Sequence, residues 1–426
     1  MNHYISKIFQ NPRILNSIWM ILEKGVAFFG LIFVVSAVAK YLGPEVYGYL
    51  ALAASIFAIV NVFARLGLDQ IYFKSVSKNQ TKNNTLIKNM INMISIIYIP
   101  LSIFVVAIFY FRIEHHYFVF FIATAIANYF SAVDMRSIHF NAVLMSKLNV
   151  IANLIGLSIS LILRYFIVEF KLSIQWLCIP IIVVTILPYF IRIWLDSRKK
   201  ILIHCYQYDY QVFKKYQRYF FAVGIPLVTS MLSVSIYLQS ANFFLAALKG
   251  SYAVGIYSIS SMLAGAWYFI PTTIVMSFLS LIYTAKTDED YVQQAGIILR
   301  YLLLITSFIV GILYFLADYI ILWLYGESYQ ESIAVFKVLL FSYFFSVIGF
   351  YFYRLAMKFS GYRFLAQKMI LTCVLNVILA YFIIRSYGVL GAAYAALITE
   401  FISNLIFNLY YKKMLMPKVI LRALGG

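Results

Sequence analysis

Charge, and negative charge above all, is what this sequence has little of. Only 15 of its 426 residues are Asp or Glu, and charged residues of both signs make up 12%. A soluble domain carries roughly a quarter charged residues, so this chain cannot be solvated by water alone. Cysteine is equally sparse: Cys178, Cys205 and Cys373 are scattered, which excludes a disulfide framework and a cysteine-built metal centre. Of five histidines, His115-His116 form a lone pair in a short loop. Neither a metal site nor a cofactor is expected.

Apolar surface fills the space that charge leaves. The chain is 64% hydrophobic, its mean hydropathy is +0.88, and the bias runs from end to end, leaving no room for a sizeable soluble domain. Lipid is therefore part of its solvent. A helix needs about 20 apolar residues to cross the hydrocarbon core. Twelve segments qualify: 14–39, 46–68, 86–111, 117–140, 147–168, 172–195, 217–247, 253–283, 294–317, 332–357, 364–384 and 389–411. The basic start around Lys7 and Arg13 leads straight into the first of them, so no cleavable signal peptide is expected.

The formal charge of +19 raises the question of nucleic acid, but the basic residues cluster in the breaks between apolar segments. That is the positive-inside bias of membrane proteins, and no nucleic-acid partner is expected. With a cytoplasmic N-terminus, the outer breaks hold only Lys40, Arg112, Lys171, Lys249 and Arg385. An even number of spans then returns Lys412-Lys413 and Lys418 to the cytoplasm. The longest break carries Arg198-Lys199-Lys200 and Lys214-Lys215 at mid-chain. It reads as a basic cytoplasmic linker, 197–216, between six-helix halves at 1–196 and 217–426.

An internal echo supports two halves. Gly43-Pro44-Glu45-Val46-Tyr47-Gly48 recurs in outline as Gly250-Ser251-Tyr252-Ala253-Val254-Gly255, 207 residues later. Each copy places two glycines five apart, just past a long apolar segment. Both fall on the outer side in the orientation above, as expected of parallel repeats. With Pro226 and Pro271, the glycines Gly43, Gly48, Gly250 and Gly255 are candidate hinges; static kinks are the alternative for the prolines.

Charge at membrane depth usually faces a bundle interior or a wet cavity. Glu23-Lys24 lie about ten residues into the first span, roughly 15 Å deep at 1.5 Å per residue. Glu400, mid-way along the twelfth, heads a polar face with Ser403, Asn404 and Asn408. Similar stripes run through the fifth span (Asn149, Asn153, Gly156, Ser160, Arg164), the third (Asn89, Asn92, Ser95, Ser102) and the seventh (Thr229, Ser233, Tyr237, Ser240). Either they glue helices together or they line a hydrated interior. Arg65, Asp69, Asp134 and Arg136 sit near cytoplasmic span ends, where snorkelling competes with a vestibule whose cations catch phosphate.

The stretch from Asn16-Ser17-Ile18-Trp19 to Glu23-Lys24, then Ala39 to Gly48, resembles the opening of the bacterial polysaccharide-repeat-unit flippases. These are the O-antigen, Wzx-type translocases of the multidrug/oligosaccharidyl-lipid/polysaccharide exporter (MOP) superfamily. Arg65-Leu66-Gly67-Leu68-Asp69, Gly250 to Tyr257, and Gly388-Val389-Leu390-Gly391-Ala392-Ala393 resemble it too, in the family's order. The resemblance implies an all-α polytopic membrane protein of about 12 helices in two parallel six-helix bundles around a central V-shaped cavity. It implies movement of undecaprenyl-diphosphate-linked oligosaccharide across the plasma membrane for O-antigen or capsule synthesis, without an enzymatic step. Membrane lipid, a polysaccharide polymerase and a chain-length regulator are the implied partners. Lys24, Arg65, Arg136 and Arg164 are the candidates for a cationic cavity, with Asn153, Tyr237 and Asn404 as polar lining. Relatives often carry an acid late in the seventh span, where this chain has Ala241-Asn242. Ion coupling or charge pairing therefore falls to Glu23, Asp69 or Glu400. Drug or metabolite efflux is the alternative within transport. A polymerase or glycosyltransferase is disfavoured by short outer loops in which Glu114, Glu169, Glu327 and Glu331 form no paired site.

Overall fold

The structure is a computed structural model and describes residues 19, 23, 25–78, 84–199, 210–284, 287–359, 361–410 and 415–425. Among these the chain is helical throughout. The helices are α1 (Gly25–Arg65), α2 (Leu68–Lys78), α3 (Asn84–Tyr110), α4 (His115–Val133), α5 (Met135–Ala142), α6 (Ser146–Glu169) and α7 (Cys178–Lys199). They continue as α8 (Tyr210–Lys249), α9 (Ser251–Gly265), α10 (Phe269–Thr284), α11 (Asp288–Phe315), α12 (Ala317–Tyr325), α13 (Ser332–Lys358), α14 (Tyr362–Phe401) and α15 (Leu415–Gly425).

Ten helical stretches among the described residues are long and apolar enough to cross a membrane. Two of them, Gly25–Arg65 and Arg363–Leu409, have 41 and 47 residues, about double what one crossing needs. Each divides at a glycine whose backbone leaves the helix: Gly43 (φ 70°, ψ 169°) and Gly388 (φ 59°, ψ −133°). Counted so, ten stretches make the twelve expected segments, and the all-α polytopic reading holds. Gly250 repeats the conformation of Gly43 (φ 87°, ψ 179°). A side chain is strained at such positive φ, which is why both copies of the motif begin with glycine. Pro44 then occupies an opening position of the resumed helix, where its missing N–H costs nothing. The eighth span also divides, at residues 266–268, and Pro271 stands in the first turn of α10. Pro226 falls within α8. Of the expected linker, 197–216, residues 200–209 lie outside the described residues, and the rest belongs to the end of α7 and the start of α8.

By its contacts the chain forms two compact units: Met1–Leu42 with Ala53–Ser235, and Gly43–Leu52 with Ile236–Gly426. In unit 1, α7 packs along α6 and α4, α3 along α4, and α2 against α5. Gly156 lets α6 approach α7, since a Cβ there would come within 2.5 Å of Pro188 Cγ. In unit 2, α13 packs along α14 and α9. The short motif segment 43–52 belongs to this unit. A Cβ on Gly48 would stand 1.8 Å from the Ser251 carbonyl oxygen, and one on Gly255 1.9 Å from that of Pro44. The two motif copies cross each other backbone to backbone.

The terminal α15 docks on α11 through Met416, Val419 and Ala423, all buried. Arg300 of α11 donates from Nε to the Ala423 carbonyl (2.8 Å) and from Nη2 to that of Arg422 (3.0 Å). It thus caps the negative end of α15. Arg300→Met is expected to loosen this helix by about 1–2 kcal/mol, seen as faster amide exchange across 415–425 with exchange elsewhere unchanged.

Candidate functional site

Unit 1 contains a buried polar network centred on Arg192 of α7, which is 4% exposed. Its guanidinium donates to Asp134 and Asn153, and from Nε to Asn149 Oδ1 at 2.9 Å. Asp134 sits in the break between α4 and α5, where its side chain also accepts from the Ser137 N–H and caps α5. Asn149 is fixed from its other end by the Ser137 carbonyl and Asn141 Oδ1. Asn153 passes the network on to Glu23 Oε1 at 2.7 Å. The buried Asp134 and Arg192 and the half-buried Glu23 are thereby joined in one network with asparagine amides, which satisfy the polar atoms that burial would otherwise strand.

The cationic candidates fare differently. Arg136 pairs with Asp196 at 2.9 Å, and Arg65 donates to the Ser131 carbonyl. Arg164 lies on α6, half-buried, and Lys24 falls outside the described residues. Asp69, near Arg65, is half-buried in the first turn of α2. The fifth-span stripe turns toward α7: Asn149 and Asn153 hold Arg192, Gly156 admits Pro188, and Ser160 donates to the Pro180 carbonyl. Helix packing explains that stripe.

Unit 2 carries a second network, and here two predicted stripes meet. Tyr237 of α8 donates to Glu400 Oε1, and Asn404 Nδ2 donates to Glu400 Oε2. Glu400 is half-buried and opens on a cavity of about 90 Å³ within the unit, lined also by Ser240, Tyr257, Tyr343 and Asn376. Asn376 joins Ser240 to Thr399. Beyond Asn404 lies Lys368 of α14, 3% exposed, whose Nζ reaches Asn404 Oδ1 (3.1 Å) and Asn408 Oδ1 (3.2 Å). The predicted Glu400, Tyr237 and Asn404 are thus brought together. Arg192 and Lys368 are not among the residues singled out from the sequence, yet both are buried at the centre of these networks. The i, i+4 spacing of Arg192 and Asp196 in an otherwise apolar helix was the available signal for the first.

Asp318, just outside the spans, accepts from the Lys337 ammonium at 2.7 Å, which holds its carboxyl below the usual carboxylate range. Among the described residues no group of His, Cys, Asp and Glu could hold a metal ion.

A polytopic chain whose long helices break at glycines, with a buried charged network in each unit, defines a multi-pass helical membrane protein. The inward-closed lipid II flippase MurJ shares this fold with a TM-score of 0.71, over 96% of this chain and 90% of that one, at 17% identity. An inward-facing multidrug resistance MATE transporter of the MOP superfamily does so at 0.68, over 92% and 95%, at 14%. The chain belongs to the polysaccharide biosynthesis protein family, whose model matches residues 14–282. A Shigella flexneri protein named "Putative O-antigen transporter" is 27% identical over 214 residues, 47% of this chain and 48% of that protein. CapF of Staphylococcus aureus, a capsular polysaccharide biosynthesis protein, is 24% identical over 264 residues, 60% and 65% of the two chains. The chain therefore spans about half to two thirds of the curated relatives it matches.

Proposed function

We propose that this protein is a flippase. It carries an undecaprenyl-diphosphate-linked oligosaccharide repeat unit from the inner to the outer leaflet of the bacterial plasma membrane, for O-antigen or capsule assembly. What supports the reading is one coincidence: a polysaccharide biosynthesis family chain whose described residues are mostly helices of membrane-crossing length, on a fold shared with a flippase. No bond is made or broken; two six-helix halves, 1–196 and 217–426, alternate access, and both termini face the cytoplasm. The glycine motifs, Pro226 and Pro271 are the flexing points.

The diphosphate needs cations in a place shielded from water, where each charge-assisted contact is strong. Lys24, Arg65, Arg136 and Arg164 supply them in this reading, with Arg136 exchanging Asp196 for phosphate as the substrate arrives. Glu400 is the coupling carboxyl, since it faces a cavity and accepts from two neutral donors instead of pairing with a cation. Glu23 instead accepts from Asn153 within the Arg192 network.

The test is complementation of a strain lacking the chain. Wild type should restore surface polysaccharide and clear lipid-linked repeat units trapped on the inner leaflet. At matched protein levels, Lys24→Ala, Arg65→Ala and Arg136→Ala should each lower export about tenfold or more, the loss of one charge-assisted contact. Full export in all three sinks the cation role. A null strain with normal polysaccharide but new toxin sensitivity would move the protein to efflux.

A further inference from the structure

The least expected group in unit 2 is Lys368. Its ammonium is buried with two amide oxygens for company, and Asn404 stands between it and Glu400. A buried ammonium is costly unless paired and hydrogen-bonded. Here an opposite charge, Glu400, is reached through a single side-chain amide, with its oxygen toward the cation and its nitrogen toward the carboxylate. That orientation suits the charge-separated state, an ionised Glu400 and a protonated Lys368.

Two further features converge on the same amide. Asn404 lies inside a π-helical turn, Ile402–Ile406, a distortion that costs hydrogen-bond geometry and is found mostly at functional sites. Opposite it, α13 presents Gly349. A Cβ there would lie 2.2 Å from Asn404 Cγ and Oδ1 and 2.6 Å from Nδ2. The space in which the amide sits, and any space in which it turns, exists because residue 349 has no side chain.

We propose that Glu400, Asn404 and Lys368 form one proton-binding unit, in which proton uptake by Glu400 turns the Asn404 amide and so reaches Lys368. This rests on the reading of Glu400 as the coupling carboxyl. A proton from cavity water bonds to Glu400 Oε2, leaving hydroxide to the solvent and making that oxygen a donor. Asn404 Nδ2 is then donor facing donor. Rotating the amide lets its oxygen accept from the new O–H, but turns the nitrogen toward the ammonium. Lys368 loses one of its two acceptors and keeps Asn408. The charge state at the cavity wall is thus reported deeper in α14. The other titratable groups on this cavity are Tyr237 from α8, Tyr257 from α9 and Tyr343 from α13.

The experiment is pH-difference infrared spectroscopy of the full chain in nanodiscs, with the Glu400 carboxyl band identified by its loss in Glu400→Gln. Protonation of Glu400 should be accompanied by a side-chain amide signal that disappears in Asn404→Leu. Lys368→Met removes the positive charge behind the amide, so Glu400 should hold its proton about tenfold more tightly, raising the titration midpoint by about one pH unit. Lys368→Arg should restore it. Should the methionine variant not fold, Gly349→Ala keeps all three groups and displaces only the amide; it should abolish the amide signal and shift the midpoint. Glu400 titrating without an amide signal, or with a midpoint indifferent to Lys368→Met, overturns the proposal. In Gly349→Ala, an unchanged midpoint and amide signal do the same. Export by Glu400→Gln at wild-type rates would instead remove the coupling role of Glu400, and the spectra would judge the linkage separately.

Discussion

Arg192→Met should destabilise the protein by about 3–5 kcal/mol, the usual result of removing one partner from a buried ion pair. The arginine is 4% exposed and Asp134 7%, so water cannot replace the lost donor. Asp134 would keep only the Ser137 N–H, while Asn149 and Asn153 would each lose a cationic partner. Asn153 is also the hold on Glu23, so the damage should spread to the start of the chain. The double variant Arg192→Met with Asp134→Asn removes both charges. It should be more stable than Arg192→Met alone, because neighbours in one network do not add. Thermal unfolding of the four proteins in one detergent reads the cycle. If Arg192→Met melts with wild type, the network is not a structural element of unit 1 and its polar groups must be reaching water.

The spans were legible because crossing a bilayer imposes length and apolarity on each helix independently of its neighbours. Gly43 and Gly250 were legible for a similar reason: a chain turning between spans needs a positive φ, and glycine supplies it locally. Glu400 stood out as a carboxylate mid-span. Arg192 and Lys368 did not, since each lies near the end of an apolar run, where sequence suggests an aqueous rim. Their burial comes from residues distant in sequence: Asp134 from the α4–α5 break in one case, Asn404 and Asn408 from the helical turns just beyond α14 in the other. The polar stripes show the same limit. Spacing placed Asn149, Asn153 and Ser160 on one face, but only the position of α7 reveals that this face is filled by helix packing. No single-helix periodicity contains that information.

Gly255→Ala should be among the most damaging single-methyl changes available in this chain. The added Cβ would lie 1.9 Å from the Pro44 carbonyl oxygen and 2.8 Å from its carbon. Both are backbone atoms with no rotamer to yield, so the two segments must separate by more than an ångström to reach ordinary contact. Gly48→Ala meets the same obstacle from the other side, at 1.8 Å from the Ser251 carbonyl oxygen. Losses above about 4 kcal/mol are exceptional for point changes and belong to such mechanisms. Each variant should therefore accumulate poorly, with a lowered melting temperature. Gly25→Ala and Gly311→Ala, where the new Cβ meets nothing, should fold normally. The pair also makes a sharper prediction. Both methyls prise open one crossing, so once the first has spread the segments the second costs little. Gly48→Ala with Gly255→Ala should then fall well short of the sum of the singles. Additive losses would mean two independent contacts, and the glycine echo would be two separate turns instead of one shared junction.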